Sequence, residues 1–250
     1  MAITGAAPMV GRAHLAQLIG GIRSASATLY CAYGTGTTAA ADTDERLVSE
    51  VARGAATITP GVAGSFEATY AFTIPYDLTV GEVGLYNAYG ELIYREGGMS
   101  TAKEEDDAYT VTCEIDVDSY STNRFTTGAI TEARDLLINN SSPAAFTHIA
   151  FGTGTTAESA AHTTLATETE RIAAEVYFLS VLAPFDTIRF AGLFTAVSSA
   201  TTVTEIAVFN AATGGDMLVR ELIDNAVVIP SGQRPVAVID VILGGDTSTV

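Results

Sequence analysis

One stretch of this chain occurs twice, and that constrains the fold more than any other feature. Residues 29–39 read Leu-Tyr-Cys-Ala-Tyr-Gly-Thr-Gly-Thr-Thr-Ala, and residues 147–157 read Thr-His-Ile-Ala-Phe-Gly-Thr-Gly-Thr-Thr-Ala. Both place an apolar run ending in an aromatic ahead of Gly-Thr-Gly-Thr-Thr, at an offset of 118 residues. The pattern predicts a short buried strand that stops at a tight glycine turn. At the same offset Leu47, Glu50, Arg53 and Ala56 fall on Leu165, Glu168, Arg171 and Ala174. Further on, Glu82-Val-Gly-Leu-Tyr-Asn87 answers Glu205-Ile-Ala-Val-Phe-Asn210, Arg95-Glu96 answers Arg220-Glu221, and Ile115-Asp116-Val117 answers Ile239-Asp240-Val241. The offset drifts at stretches rich in Gly, Pro, Ser and Asn, which read as loops that tolerate insertion. The chain is therefore read as a tandem duplication, with repeats at 1–117 and 118–250. Each has the size usual for one domain, roughly 100–150 residues. Two copies are too few for a solenoid, which needs about three.

Within each half the periodicity predicts one amphipathic helix followed by about six short strands. The helices fall at 9–22, with Leu15, Leu18, Ile19 and Ile22 on one face and Pro8 at its start, and at 128–139, with Ile130, Ala133, Leu136 and Leu137 on one face. Asn139-Asn-Ser-Ser-Pro143 stops the second. The strands are expected at 51–59, 65–74, 80–86, 91–95 and 108–117 in the first half. In the second they are expected at 171–182, 203–209, 217–223 and 235–243, with Ile188, Phe190 and Phe194 forming another apolar face. A possible helical turn lies at 42–50 and at 160–168. Short strands separated by turns predict a mainly β chain of two tandem antiparallel β-sandwiches, jelly-roll-like, rather than βαβ units. Strand order, Greek key or jelly roll, stays open. The polar stretch at 117–123 marks the boundary.

The formal charge is −17, and only Lys103 among the 12 basic residues is a lysine. No basic patch offers a phosphate-binding face, so nucleic acid is not an expected partner. Acid excess without lysine suits molar salt, where a Debye length of about 3 Å screens self-repulsion. There is no run of about 18 apolar residues for a membrane span and no secretory leader pattern. Neither Cys31 nor Cys113 has a counterpart in the other half, which argues against a metal or framework site. They read as neighbouring core thiols, with a single bridge left open.

Candidate chemistry is sparse. Gly-Thr-Gly-Thr-Thr lacks the lysine of a phosphate loop and the third glycine of a dinucleotide fingerprint; here glycine is expected to supply positive φ and threonine local hydrogen bonds. His14, His148 and His162 have no metal-ligand or triad spacing. The acidic run Glu104-Glu105-Asp106-Asp107 and the alternating Glu114, Asp116 and Asp118 could bind Ca²⁺ or Mg²⁺ but read more simply as a solvated face. Glu82/Arg95 and Glu205/Arg220 recur in both halves and are expected to pair for structural reasons. No catalytic, cofactor or metal residue is assigned. Tyr70, Tyr76, Tyr86, Tyr89 and Tyr94 offer aromatic surface, about half of it expected in the core.

The line from the aromatic through Gly-Thr-Gly-Thr-Thr-Ala, Leu165, Glu168 and Arg171 to Glu205-Ile-Ala-Val-Phe-Asn-Ala-Ala-Thr-Gly-Gly215 and Leu218-Val-Arg220 resembles β-sandwich structural proteins of tailed viruses. These are tail-fibre, baseplate or collar proteins. The resemblance is strongest over His148–Arg220 and looser in the first half. It implies a non-enzymatic virion protein without cofactor. Its partners would be other virion proteins and copies of itself in a ring, or a host surface glycan. With the composition, it implies a virus of a halophilic archaeon. A capsid vertex turret is the alternative placement.

Overall fold

The computed structural model describes residues 9–21, 23–25, 28–41, 43–61, 64–117, 125–140, 143–179 and 187–243. Pro8, Ile22, Asp118, Ser141, Ser142, residues 180–182 and all of the expected boundary beyond Val117 lie outside them.

The first half comprises α1 (Met9–Ile19), β1 (Tyr30–Gly34), β2 (Glu50–Ala55), β3 (Thr57–Pro60), β4 (Ser65–Thr73), β5 (Leu78–Tyr86), β6 (Leu92–Lys103) and β7 (Ala108–Asp116). The second comprises α2 (Thr127–Ile138), β8 (His148–Gly152), β9 (Glu168–Ala173), β10 (Glu175–Leu179), β11 (Thr187–Leu193), β12 (Thr201–Phe209), β13 (Met217–Ile229) and β14 (Val236–Ile242). The sheets run β2-β1-β5-β6 with β3-β4-β7, and β9-β8-β12-β13 with β10-β11-β14. Adding seven to each strand number turns the first order into the second, so the halves repeat in topology as well as in sequence. Each is a β-sandwich of four strands on three, antiparallel throughout. A jelly roll has eight strands; seven are described here in each half.

The extra strand relative to the sequence reading comes from the runs at 51–59 and 171–182. Each breaks at an alanine and switches sheets, a recognised way to turn a sandwich corner. Ala56 N–H donates to the Leu29 carbonyl at 2.8 Å, and Ala174 N–H donates to Thr147 at 2.8 Å. Among the described residues no helical turn forms at 43–50 or 160–168, which stay irregular until the strands resume. β6 and β13 run well past the expected ends at 95 and 223. Inward-facing rings meet edge-on at matching places, Tyr33 with Phe72 at 4.8 Å and Phe151 with Phe194 at 4.7 Å. Cys31 and Cys113 are both buried and free, and Cys31 Sγ lies 3.4 Å from the Ala68 carbonyl oxygen. Contact with Cys31, then burial, pushes the Cys113 thiol up.

The helices depart most from expectation. α1 ends at Ile19, ahead of Gly21 in a left-handed conformation (φ 71°). It is not a surface helix: Arg12, His14, Leu15, Ala16, Leu18 and Ile19 are all buried. Gly11 lets it approach β6, since a Cβ there would lie 2.7 Å from the Ile93 carbonyl oxygen. Its end meets the second half, where Phe146 N–H donates to the Ile19 carbonyl at 2.7 Å and Phe178 and Val176 crowd Gly20. α2 starts at an N-cap, Thr126, whose hydroxyl accepts from Ala129 N–H at 3.1 Å, and stops at Asn139 in the left-handed region (φ 52°). It reaches back to the first half: Ile130 covers Gly64, and Arg134 donates to the Gly61 carbonyl at 2.8 Å. The helices pack on each other and each touches the other half's sandwich. The main buried hydrophobic cluster therefore runs unbroken from Leu15 to Leu243.

Because both sandwiches share that cluster, they should unfold together. Leu18→Ala removes a fully buried side chain and should destabilise by about 2–5 kcal/mol. Calorimetry should show wild type and variant each melting in one transition, with no sandwich surviving alone.

Candidate functional site

The most elaborate polar arrangement lies on the outer face of each four-stranded sheet, where the Gly-Thr-Gly-Thr-Thr segment folds back. On β5 the register shifts between Val80 and Glu82, and on β12 between Val203 and Glu205. This is a β-bulge, which re-aims the side chain after it. Glu82 and Glu205 thereby come to lie completely buried under the loop.

Each carboxylate is enclosed in the same way. Glu82 accepts from Gly36 N–H (3.2 Å), Val48 N–H (2.9 Å) and Ser49 N–H (2.7 Å). Glu205 accepts from Gly154 N–H (2.9 Å), Ala166 N–H (3.1 Å) and Thr167 N–H (2.8 Å). Arg95 on β6 donates Nε and Nη2 to one Glu82 oxygen at 3.0 and 2.9 Å; Arg220 on β13 donates Nε to Glu205 at 2.8 Å. The arginines reach on to the loop. Arg95 donates to the Thr38 carbonyl and hydroxyl, both at 3.0 Å, and Arg220 donates to the Thr156 carbonyl at 2.9 Å.

The glycines of the repeated motif are explained here, but not as expected. None of Gly34, Gly36, Gly152 and Gly154 has positive φ. They are required by proximity. A Cβ on Gly36 or Gly154 would lie 2.4 Å from a glutamate Oε1, and one on Gly34 or Gly152 would lie 2.4 Å from the backbone oxygen of Ser49 or Thr167. The motif is a lid with no side chains at the points where it touches a buried carboxylate, not a tight turn.

A second shared layer braces the lid. Ala32, Leu47, Tyr86 and Leu92 form a small apolar cluster outside the first sheet; Ala150, Leu165, Phe209 and Met217 recur outside the second, with Ala207. Arg53 and Arg171 lie 3.4 Å over the rings of Tyr86 and Phe209, each held by the glutamate three residues earlier. Such a cation over a ring contributes about 0.5–2 kcal/mol. Tyr86 accepts from Leu47 N–H at 2.8 Å, and burial pushes its hydroxyl up to about 12.

The outer charged partner of the arginine differs between the copies. Arg95 Nη1 binds Asp44 at 2.6 Å, whereas Arg220 Nη1 meets His162 Nδ1 at 3.4 Å. Asp44 and His162 are equivalent at the 118 offset, a correspondence the histidine's isolated position in sequence hides. His14 is buried beside Arg23 and Glu91. His148 sits on β8 against the Thr147 hydroxyl, its pKa lowered by burial and by Arg171. The three histidines are not brought together.

The acidic run serves its own turn. Glu104 N–H binds Asp107, Glu105 N–H binds Asp77, and Asp106 takes positive φ (65°). Glu114 and Asp116 face outward from β7, opposite buried Cys113, Ile115 and Val117. Among the described residues no group of three or more His, Cys, Asp or Glu could hold a metal ion. Tyr86 and Tyr94 are buried, whereas Tyr70, Tyr76 and Tyr89 are exposed. No described helix is long and apolar enough to cross a membrane. A scan against protein-family models, a search of curated proteins and a search of solved structures each return no match.

With every donor and acceptor around Glu205 engaged, removing one should be severe. Glu205→Gln leaves Arg220 buried without its carboxylate and should cost about 3–5 kcal/mol. Gly154→Ala should cost about 1–3 kcal/mol through the clash. Denaturant titration of both variants against wild type measures the two effects.

Acid should also act through identified groups. Burial outweighs the attraction of Glu91 and, with Arg23, lowers His14 from 6.5 to about 4. The unfolded chain then binds the proton first, so stability is lost as pH falls from about 6.5 to about 4. Burial alone would raise Glu205, but the Thr167 amide, Arg220 and the Ala166 and Gly154 amides hold it below its ordinary value. Its contribution is present above the ordinary glutamate value and is lost as pH falls through the lower folded one. Glu96 and Glu221, raised by burial, act in the opposite sense. The measurement is therefore a difference: the stability gap between wild type and His14→Gln should narrow between pH 6.5 and 4.

Proposed function

We propose that this chain is a non-enzymatic structural protein of a tailed virus, built into the tail, baseplate or fibre as a multi-copy ring or adaptor. The observation that carries the reading is the paired Glu–Arg clamp. The most polar, most buried constellation of each half is closed by its own loop and satisfied by its own amides, as a structural lock would be. A reaction centre would leave a donor, an acceptor or a cleft for substrate. The duplication gives one chain two similar units, so three chains could fill six quasi-equivalent positions of a ring. The motif resemblance to tail-fibre, baseplate and collar proteins points the same way. The acid-rich, lysine-poor composition suits assembly in a halophilic archaeon.

Capsid vertex decoration would use the same properties. Glycan binding has less support, because an aromatic platform needs rings side by side. Tyr76 and Tyr89 are the most exposed tyrosines of the first half, but they flank opposite ends of β5, a nine-residue strand spanning about 30 Å. Antibody labelling of purified particles by electron microscopy tests the proposal. Label at a discrete tail position on every particle is expected; particles without the protein would overturn it, and label at the capsid vertices would favour the decoration reading.

A further inference from the structure

The two halves differ sharply at one place. The three-stranded sheets end in edge strands β7 and β14, equivalent at an offset of 124 residues through Ile115-Asp-Val and Ile239-Asp-Val. On the outward face the register pairs Glu67 with Glu114 and Thr69 with Thr112 in the first half. The outward pairs of the second half are Arg189 with Asp240, Ala191 with Val238 and Leu193 with Val236. A carboxylate-bearing edge resists pairing with another strand. The second edge carries Val236 and Val238, 68% and 46% exposed, beside Leu193 at 52%.

The apolar surface continues round the edge. Between β13 and β14 lies a cavity of about 290 Å³ lined by Phe151, Ile206, Val227, Pro235, Val236 and Val238, among others. In the first half Tyr109 enters the equivalent space and meets Tyr33 edge-on at 5.8 Å. As Tyr109 lies opposite Phe72, so Pro235 lies opposite Phe194; the smaller proline lines the cavity that the tyrosine fills. The second sandwich is thus open, and apolar, where the first is plugged and acidic.

We propose that β14 pairs antiparallel with β14 of a second copy of this chain, about a two-fold axis at Ala237. Three observations select that occupant. The outward residues read Arg234, Val236, Val238, Asp240. Asp240 is held by Arg189 at 2.7 and 2.6 Å, and Arg234 donates to the Phe194 carbonyl at 2.8 Å. Two-fold pairing at Ala237 therefore sets Val236 of each copy opposite Val238 of the other and places an Arg234 beside an already neutralised Asp240 at each end. The strand is complementary to itself in hydrophobicity and opposes no like charges. Backbone phase agrees. Phe194 N–H donates to the Pro235 carbonyl at 3.0 Å, so odd-numbered residues turn toward β11 and Val236 and Val238 turn theirs outward, as this register needs. Lastly, the one carboxylate on the outward face of this edge, Asp240, is neutralised by Arg189 of the neighbouring β11, which on a chain of charge −17 gives an acidic copy a place of approach without opposed carboxylates. The added strand would lie across the cavity mouth and join two three-stranded sheets into one of six.

The interface needs only a second copy and does not depend on a place in a virion. Light scattering after size exclusion of the full chain in molar KCl should give a dimer. Val238→Lys should weaken association by at least roughly tenfold, with far-ultraviolet circular dichroism unchanged. Ala237→Cys should form an intermolecular disulfide under mild oxidation, since directly opposed residues of a non-hydrogen-bonded pair lie about 4.5 Å apart at Cα; Cys31 and Cys113 are buried, so wild type should not. If Val238→Lys fails to fold, the Ala237→Cys result decides. A monomeric wild type, a dimer that survives Val238→Lys, or no cross-link from Ala237→Cys overturns the interface. A monomer still found in particles would overturn the interface alone and leave the virion reading standing.

Discussion

Each half of this molecule depends on keeping a carboxylate and a guanidinium out of water together. Burying either alone costs several kcal/mol, and their mutual attraction offsets this only with good geometry and further hydrogen bonds. The chain supplies those bonds from one segment. The amides on Glu82 belong to Gly36, Val48 and Ser49, and the carbonyl on Arg95 to Thr38. All lie between β1 and β2. The buried pair therefore specifies the path of a loop that has no regular structure of its own. The bulge before Glu82, the glycines, the threonine carbonyl and Leu47 beneath the lid are consequences of that requirement.

The duplication, the helix positions, most strands and the pairing of Glu82 with Arg95 were readable in the sequence because each leaves a periodic or repeated trace. The purpose of Gly-Thr-Gly-Thr-Thr was not. Glycine is required for positive φ or for close approach, and sequence cannot say which. Here the approaching atom is a glutamate oxygen some 46 residues away. The strand switch at Ala56 and Ala174 was hidden for a related reason. A run that crosses from one sheet to the other keeps its β-branched composition, and the corner is made by tertiary hydrogen bonds. The burial of α1 was hidden too, since its second apolar side is formed by the other half of the chain.

Comparison of the halves separates what the sandwich needs from what it tolerates. Both copies keep Glu, Arg, three amides and two lid glycines. They differ where a partner can be exchanged without exposing a charge. Asp44 becomes His162, which can still accept from arginine, and Tyr86 becomes Phe209, which keeps the ring under its arginine but lacks the hydroxyl. The clamp's inner contacts are fixed and its outer contacts drift, as expected when a buried unpaired group is far costlier than a partly exposed one.

Two sandwiches joined only by a linker would be free to diverge and to separate. Exchange of the helices prevents that. α1 closes on Phe178 and Val176 of the second half, while α2 places Ile130 and Arg134 on the first. Each copy thus supplies part of the other's packing, and the continuous cluster from Leu15 to Leu243 follows. A fixed pair of unequal faces can have distinct roles where two independent beads could not. The acidic edge at β7 remains solvated, and the apolar edge at β14 is held at a set angle to it. If copies assemble as proposed, that asymmetry would determine which face of one meets its neighbour.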